Sequence, residues 1–461
     1  MTITAIGVAT LIGLLITLGG NKRQWIPWLL SASMPFMSIP AITLAGVSVP
    51  AFFLVALVAG WFVFVDKGTW TLFGASRGMR VLLVALGALV ICAAVGAWAL
   101  PQLFEGMGVL APRLGLAAQA QSSTPLVLST SNLAQVAYLV LGVVVIVYFL
   151  RYGPAPARVM SLGFGIGTLL NSLVLLQVAS GVGFSIVSAL GGEGFGTYLY
   201  NGSERLSGVF SEPSYMAVFC MAAASFFVVD MARVSGANKI FDLVMLALNS
   251  ICVYFAYSGT AVLTIGIVVA ALVVVVVFRF VFMRVRVPWQ AFVLSFIALP
   301  ACIVIAPRIV RLASTLASDK ASSASYDLRS FSDNVSWKLV AETLGAGVGL
   351  GSHRPSSFAL MLLSNLGALG FGLFCVVLIT VAYNAIKSGG YAAELWTLLT
   401  VLVAKTIAEP NLNQPVMWMA LGVLASTFAG RRQSKTARQP ANFARIPTAG
   451  SSVLTRSPTA I

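Results

Sequence analysis

Three stretches of this sequence set charged and polar side chains against long runs of hydrocarbon. The first, RLSGVFSEPSYM (Arg205–Met216), places an arginine, a glutamate and a proline between two apolar segments. Arg205 there either pairs with Glu204 or Glu212 at a helix mouth or grips an anionic group at the bilayer surface. A guanidinium stays charged at every relevant pH and meets a planar oxyanion with two parallel hydrogen bonds. Glu212 precedes Pro213, a natural first-turn proline, with Ser211 as the cap. The glutamate reads as a helix-start and ion-pair residue, or as a catalytic or orienting carboxylate.

The second stretch is YDLRSFSDNVSWKLVAETLGAGVGLGSHRPSS (Tyr326–Ser357). Ser332 or Asp333 caps a predicted helix running to about Leu344. Trp337, Val340 and Leu344 share one face of it, while Lys338 and Glu342 pair on another. Such a helix rests on the outer leaflet or caps a cavity, with Arg329 just before it near the bilayer surface. Gly345, Gly347, Gly349 and Gly351 then alternate. The first ends the helix, and the others permit a close approach of backbone to a ligand and a nest of N–H groups for an anion, although plain loops use such runs too. His353, the single histidine of the chain, follows directly, with Arg354 beside it. The third stretch, around Lys405 and EPNLNQP (Glu409–Pro415), offers an i, i+4 Lys–Glu pair at a helix end. Tyr198, Tyr200 and Trp418 either stack on a sugar or sit at a membrane interface for their own sake.

The elements that must position these groups are apolar. Of 461 residues, 59% are hydrophobic and 9% charged, against about 25% charged in soluble proteins. Lipid is therefore the solvent, and the fold class is an all-α integral membrane protein. Thirteen spans are predicted: 3–20, 25–45, 50–65, 81–100, 132–150, 159–179, 213–230, 240–257, 260–282, 289–306, 357–383, 391–407 and 416–430. The second is interrupted by Pro27, Pro35 and Pro40, which predicts a kinked or re-entrant segment. Lys22 and Arg23 follow the first apolar run and no basic stretch precedes it. That reads as a membrane helix with its amino end outside and not as a signal peptide.

The net charge of +15 is topological, and no nucleic acid is implied. Basic residues fall in alternate connections, at Lys22/Arg23, Lys67/Arg77/Arg80, Arg151/Arg158, Arg233/Lys239, Arg284/Arg286, Lys387 and Arg431/Arg432. These are cytoplasmic by the positive-inside rule, and so is the carboxyl terminus. Residues 1–430 form the membrane domain, 307–356 an outer loop within it, and 431–461 a disordered basic tail. The five cysteines are scattered through apolar runs, with no metal or disulfide spacing.

The stretches RLSGVFSEPS (Arg205–Ser214), GVGLGSHRPSS with LLSNLGALG (within Gly347–Gly370) and EPNLNQPVMWMALG (Glu409–Gly422) resemble the Wzy-type polysaccharide polymerases of the O-antigen polymerase and ligase superfamily. The resemblance is strongest over about 200–430, and the amino-terminal helices match only by hydropathy. It implies a cofactor-free, metal-independent glycosyltransferase of the Gram-negative inner membrane with a periplasmic active site. The substrate would be an oligosaccharide repeat on undecaprenyl diphosphate, with a chain-length regulator and a flippase as partners. It further implies that Arg205 and Arg329 hold the diphosphate and that His353 is the general base, with Glu212 the other catalytic candidate. Arg354 is a headgroup anchor or a third phosphate contact. A ligase transferring glycan to a lipid A core is the nearest alternative. A lipid-linked oligosaccharide flippase is the alternative of another class, but it requires charged groups at mid-depth, and these are scarce.

Overall fold

The computed structural model describes residues 2–20, 22–44, 47–66, 76–110, 123–192, 196–200, 203–282, 324–408 and 410–429. It is a helical bundle. In order, α1 is Ala5–Gly19, α2 Ile26–Ser33, α3 Ala51–Val65, α4 Arg77–Leu103, α5 Thr130–Tyr152, α6 Val159–Ser180, α7 Ile186–Ala189, α8 Pro213–Asp230, α9 Ala237–Ala256 and α10 Gly259–Phe282. Then follow α11 Ala324–Glu342, α12 Phe358–Met361, a π-helical turn Leu362–Leu366, α13 Gly367–Ser388, α14 Ala392–Ala408 and α15 Pro415–Ala425. Strands are short: β1 (Thr2–Ile3), β2 (Pro40–Leu44) and β3 (Val47–Pro50) form one antiparallel sheet, with β4 (Gly108–Val109) and β5 (Thr124–Pro125) a second and β6 (Thr197–Tyr200) and β7 (Ser203–Leu206) a third.

Among the described residues, six helices are long and apolar enough to cross a membrane: α4, α5, α6, α8, α9 and the continuous run Phe358–Ser388. Shorter apolar helices occupy Ala5–Gly19, Ala51–Val65, Gly259–Val275 and Pro415–Ala429. These features fit a multi-pass membrane protein. The predicted span 25–45 is not a single helix. It breaks into α2, a 3-10 turn at Met34–Phe36 and strand β2, because Pro35 and Pro40 remove N–H donors that a continuous helix needs. The predicted span 289–306 and the tail 431–461 lie outside the described residues.

Helix α8 is the hub. Its apolar window is 72% buried, against 28% for α9, so α8 faces protein while α9 shows most of its surface outward. Phe219, Phe226 and Phe227 of α8 meet Phe164 of α6 edge-on or tilted. Glycines let large rings in: a Cβ on Gly142 of α5 would stand 2.3 Å from the Trp418 ring of α15.

Polar contacts gather at the two ends of this bundle. At one pole, Arg158 binds both Asp230, at 2.8 Å, and Asp242, joining the start of α6 to the end of α8 and the start of α9. Arg23 meets Asp66 at 2.8 Å and Arg233 faces Glu394 at 3.7 Å. Among the described residues, Arg23, Arg158 and Arg233 of three basic connections thus each pair with a carboxylate at or beside another such connection. The opposite pole holds the glycine-rich segment 345–352, the start of α8 and the end of α14.

Candidate functional site

Helix α11 roofs this second pole. It is already helical at Ala324, two turns before the predicted cap, so Arg329 lies inside the helix and not before it. Its inward face is Ser332, Ser336, Leu339 and Thr343, at i, i+4, i+7 and i+11, all buried. Trp337 and Leu344 are exposed instead. The helix is amphipathic, with hydroxyl residues and Leu339 inward and Trp337 outward beside Lys338 and Glu342. Leu339 joins Val348, Val109 and Leu126 in a small separate core under this roof.

His353 is buried against that inward face. Its Nδ1 accepts the Leu110 N–H at 3.2 Å, and its Nε2 lies 2.8 Å from the Ser336 hydroxyl. That hydroxyl donates to the Ser332 carbonyl at 2.7 Å, so it accepts from the ring, which fixes the Nε2–H tautomer. Burial pushes the histidine down to about pH 4. A neutral ring with both nitrogens engaged is a strut. The expected general base His353 is thus engaged at both ring nitrogens: Nδ1 holds the Leu110 N–H and Nε2–H meets the Ser336 hydroxyl.

The glycine segment is likewise committed. Gly347 N–H donates to Thr343 Oγ1, Val348 N–H to the Ser364 carbonyl, Gly349 N–H to the Asn365 carbonyl and His353 N–H to Asn365 Oδ1. The expected anion nest is corrected accordingly, since these donors point into the protein. Gly349 and Gly351 have φ of +94° and +87°, and a Cβ there would meet Gly96 O at 2.9 Å and Ser131 O at 2.7 Å. Close approach is to the chain's own backbone. Two buried asparagines clamp the segment. Asn132 Nδ2 donates to Leu350 O and Ser352 Oγ, both at 2.8 Å, and Asn365 Nδ2 donates to His353 O at 3.0 Å.

The arginines stand at the edge of this scaffold. Arg354 is half-buried, its N–H donating to Leu110 O at 2.9 Å and its carbonyl accepting from Ser332 Oγ at 3.3 Å. Arg329 is one turn before Ser332 on the same side of α11 and is also half-buried. Among the described residues neither side chain has an ion pair or hydrogen bond. Asp333 accepts from the Ser356 hydroxyl, tying the loop after Arg354 to the same helix. The fold therefore brings the Arg329, His353 and Arg354 segments together.

Arg205 and Glu212 approach from another side. The Arg205 guanidinium donates to the Tyr257 carbonyl at the end of α9, where the helix dipole favours a cation. Gly208, φ +60°, turns the chain toward α8, and Asn171 Oδ1 takes the Val209 N–H at 3.1 Å. Glu212 itself is the N-cap residue of α8, without a side-chain cap bond. The expected cap Ser211 instead meets Ser38 at 3.3 Å. Glu212 is exposed and accepts from the Ser214 hydroxyl at 3.1 Å.

A bridge joins the two sides. Fully buried Lys405 of α14 donates to the Asn411 carbonyl and lies 4.9 Å from the Phe358 ring centroid. Asn411 Nδ2 donates to the Tyr215 hydroxyl, 3.2 Å away, in the first turn of α8. Glu409, the expected i+4 partner of Lys405, lies outside the described residues, as do the side chains of Tyr198 and Tyr200. Trp418 is no surface stacking group: it is buried, and its Nε1–H donates to Leu412 O at 2.6 Å. Asn132, Asn365 and Ser336 were not legible as functional positions. Their only sequence signal is a polar residue inside or beside an apolar run. Among the described residues no cluster of three or more His, Cys, Asp or Glu side chains could hold a metal.

No protein-family model and no curated protein matches the chain.

Proposed function

We propose that the protein is a polysaccharide polymerase of the Wzy type. It would transfer a growing glycan from undecaprenyl diphosphate to the end of an incoming lipid-linked repeat at the periplasmic face of the inner membrane. The observation that carries this reading is the convergence of three stretches, around Arg205–Tyr215, His353–Phe358 and Lys405–Asn411, in one polar layer at one end of an apolar bundle. A diphosphate leaving group develops negative charge as its C–O bond breaks, and preformed cations at that point stabilise the transition state. Arg329 and Arg354 supply two guanidinium groups that pair with no carboxylate among the described residues, and Arg205 supplies a third from the α9 side. At about 4 Å and an effective dielectric near 20, each such pair is worth on the order of 4 kcal/mol before desolvation.

His353 then acts as a positioning residue, holding Arg354 against α11. Glu212 takes the role of base toward the acceptor hydroxyl: it is exposed at the helix mouth, and among the described residues its carboxylate meets the Ser214 hydroxyl alone. The positive-inside pattern supports the same orientation, since the basic connections share the opposite pole.

The decisive experiment is glycan elongation by purified protein in detergent with a fluorescent lipid-linked repeat. Polymer ladders without a membrane gradient and insensitive to EDTA are expected. Product appearing only on a lipid A core acceptor would reassign the protein as a ligase. Translocation in vesicles without elongation would reassign it as a flippase.

A further inference from the structure

Below the polar layer, α8, α9, α10 and α14 leave a recess of about 320 Å³, lined among others by Met221, Ser225, Val253, Thr264, Val268 and Trp396. Its wall is almost entirely hydrocarbon. Ile265 and Val269 lie on its rim and are 44% and 41% exposed on the outer side of an apolar helix, so the opening faces sideways into lipid. The hydroxyls inside are occupied with one exception. Ser225 and Thr400 bond each other at 2.8 Å, Thr400 also donates to Trp396 O, and Ser250 donates to Leu246 O. Thr264 Oγ1 is fully buried and has no hydrogen-bond partner among the described residues. A buried hydroxyl left unpaired is costly, so an occupant with one acceptor at that point is favoured.

Depth selects the occupant. Thr264 is five residues into α10, about 8 Å below its start, and the wall continues to Leu272, about 12 Å further. The exposed Tyr254, Phe255 and Tyr257 beside the start of α10 mark it as interfacial, and the interfacial layers add roughly 10–15 Å in total to a hydrocarbon core near 30 Å, so about 8 Å is the inner edge of one such layer. There a glycerolipid presents its ester carbonyls, with saturated chain below. We propose that the recess binds one acyl chain of a glycerophospholipid, entered from the bilayer, with its ester carbonyl accepting the Thr264 hydroxyl. A polyisoprenoid chain brings no carbonyl to that level. The proposal is independent of the glycosyl-transfer reading, because it concerns a different part of the bundle and needs no catalysis.

The test uses the full chain in phosphatidylglycerol nanodiscs containing a phosphatidylglycerol with a diazirine on one acyl chain. After photolysis, peptide mass spectrometry should find saturable labelling concentrated at 221–229 and 264–272. Val268→Trp fills the recess and should lower that labelling at least tenfold. Labelling spread evenly over the exposed faces of α1, α4 and α13, or unchanged by Val268→Trp, overturns the site. If Val268→Trp loses its monodisperse elution, the nearly isosteric Thr264→Val keeps the test alive. Wild type should prefer the ester lipid over its diether analogue several-fold, and Thr264→Val should lose that preference. Equal preference in both proteins overturns the carbonyl contact. Competition by a polyisoprenyl phosphate and not by unlabelled phosphatidylglycerol overturns the acyl-chain assignment.

Discussion

Arg205 and His353 are both anchored by hydrogen bonds, and the anchors make opposite predictions. The fork of Arg205 is anchored on the Tyr257 carbonyl, which sets the plane it presents. Arg205→Lys keeps the charge and loses the fork, so elongation should fall about 10- to 100-fold, the range of a charged hydrogen bond. A variant with wild-type turnover would remove Arg205 from the diphosphate. For His353 the neutral state is built in. Between pH 6.5 and about 4 the unfolded chain binds a proton that the folded ring refuses, so stability declines as pH falls through that window. The difference is on the order of 3 kcal/mol in full. Thermal unfolding in detergent from pH 7.5 to 4.5 should therefore show a steeper loss for wild type than for His353→Gln. Equal slopes would contradict the buried neutral ring. Glu212→Gln should abolish elongation while leaving the unfolding midpoint close to wild type, since the side chain is exposed and makes no ion pair among the described residues.

At the scale of elements, the segment 345–352 is a packing device. Gly351→Ala must accommodate both a positive φ and a Cβ 2.7 Å from Ser131 O, whereas at Gly345 the nearest atom is 3.8 Å away. Gly345→Ala should cost about 1–2 kcal/mol, the left-handed backbone penalty, and Gly351→Ala distinctly more. Unfolding midpoints that rank the other way would exclude this account. The same segment shows where reading the sequence succeeds and where it stops. Alternating glycines are visible, and close approach follows from them. The identity of the approaching group does not, because Asn132 and Ser131 lie about 220 residues away in the chain. Likewise the period of α11 is legible, but its inward face is not: Ser336 and Thr343 are buried against the roofed loop while Trp337 is exposed, and no apolar pattern marks the two hydroxyl residues. Helix existence across apolar runs was readable because hydrocarbon length alone demands it, and Pro35 and Pro40 already marked where the second run breaks. Arg329, His353 and Arg354 were readable as polar exceptions, whereas the engagement of the histidine Nδ1 depends on Leu110, whose N–H no pattern distinguishes.

For the molecule as a whole, the ion cluster at the basic pole decides stability. Arg158 holds Asp230 and Asp242, and both carboxylates are buried. Removing the shared cation leaves two buried anions, so Arg158→Leu should cost about 3–5 kcal/mol, and adding Asp230→Asn and Asp242→Asn should recover part of it. Lack of recovery in the triple variant would mean that packing and not charge is lost. The cluster has a remote consequence through α8, which runs from Pro213 to Asp230 without a break. Its far end is moored by a guanidinium, and its near end carries Glu212. A slip of that rod by a single residue would swing the carboxylate through about 100°, away from any acceptor it serves. The aim of the proposed base is thereby governed from some 27 Å away, on the side of the molecule opposite the proposed acceptor.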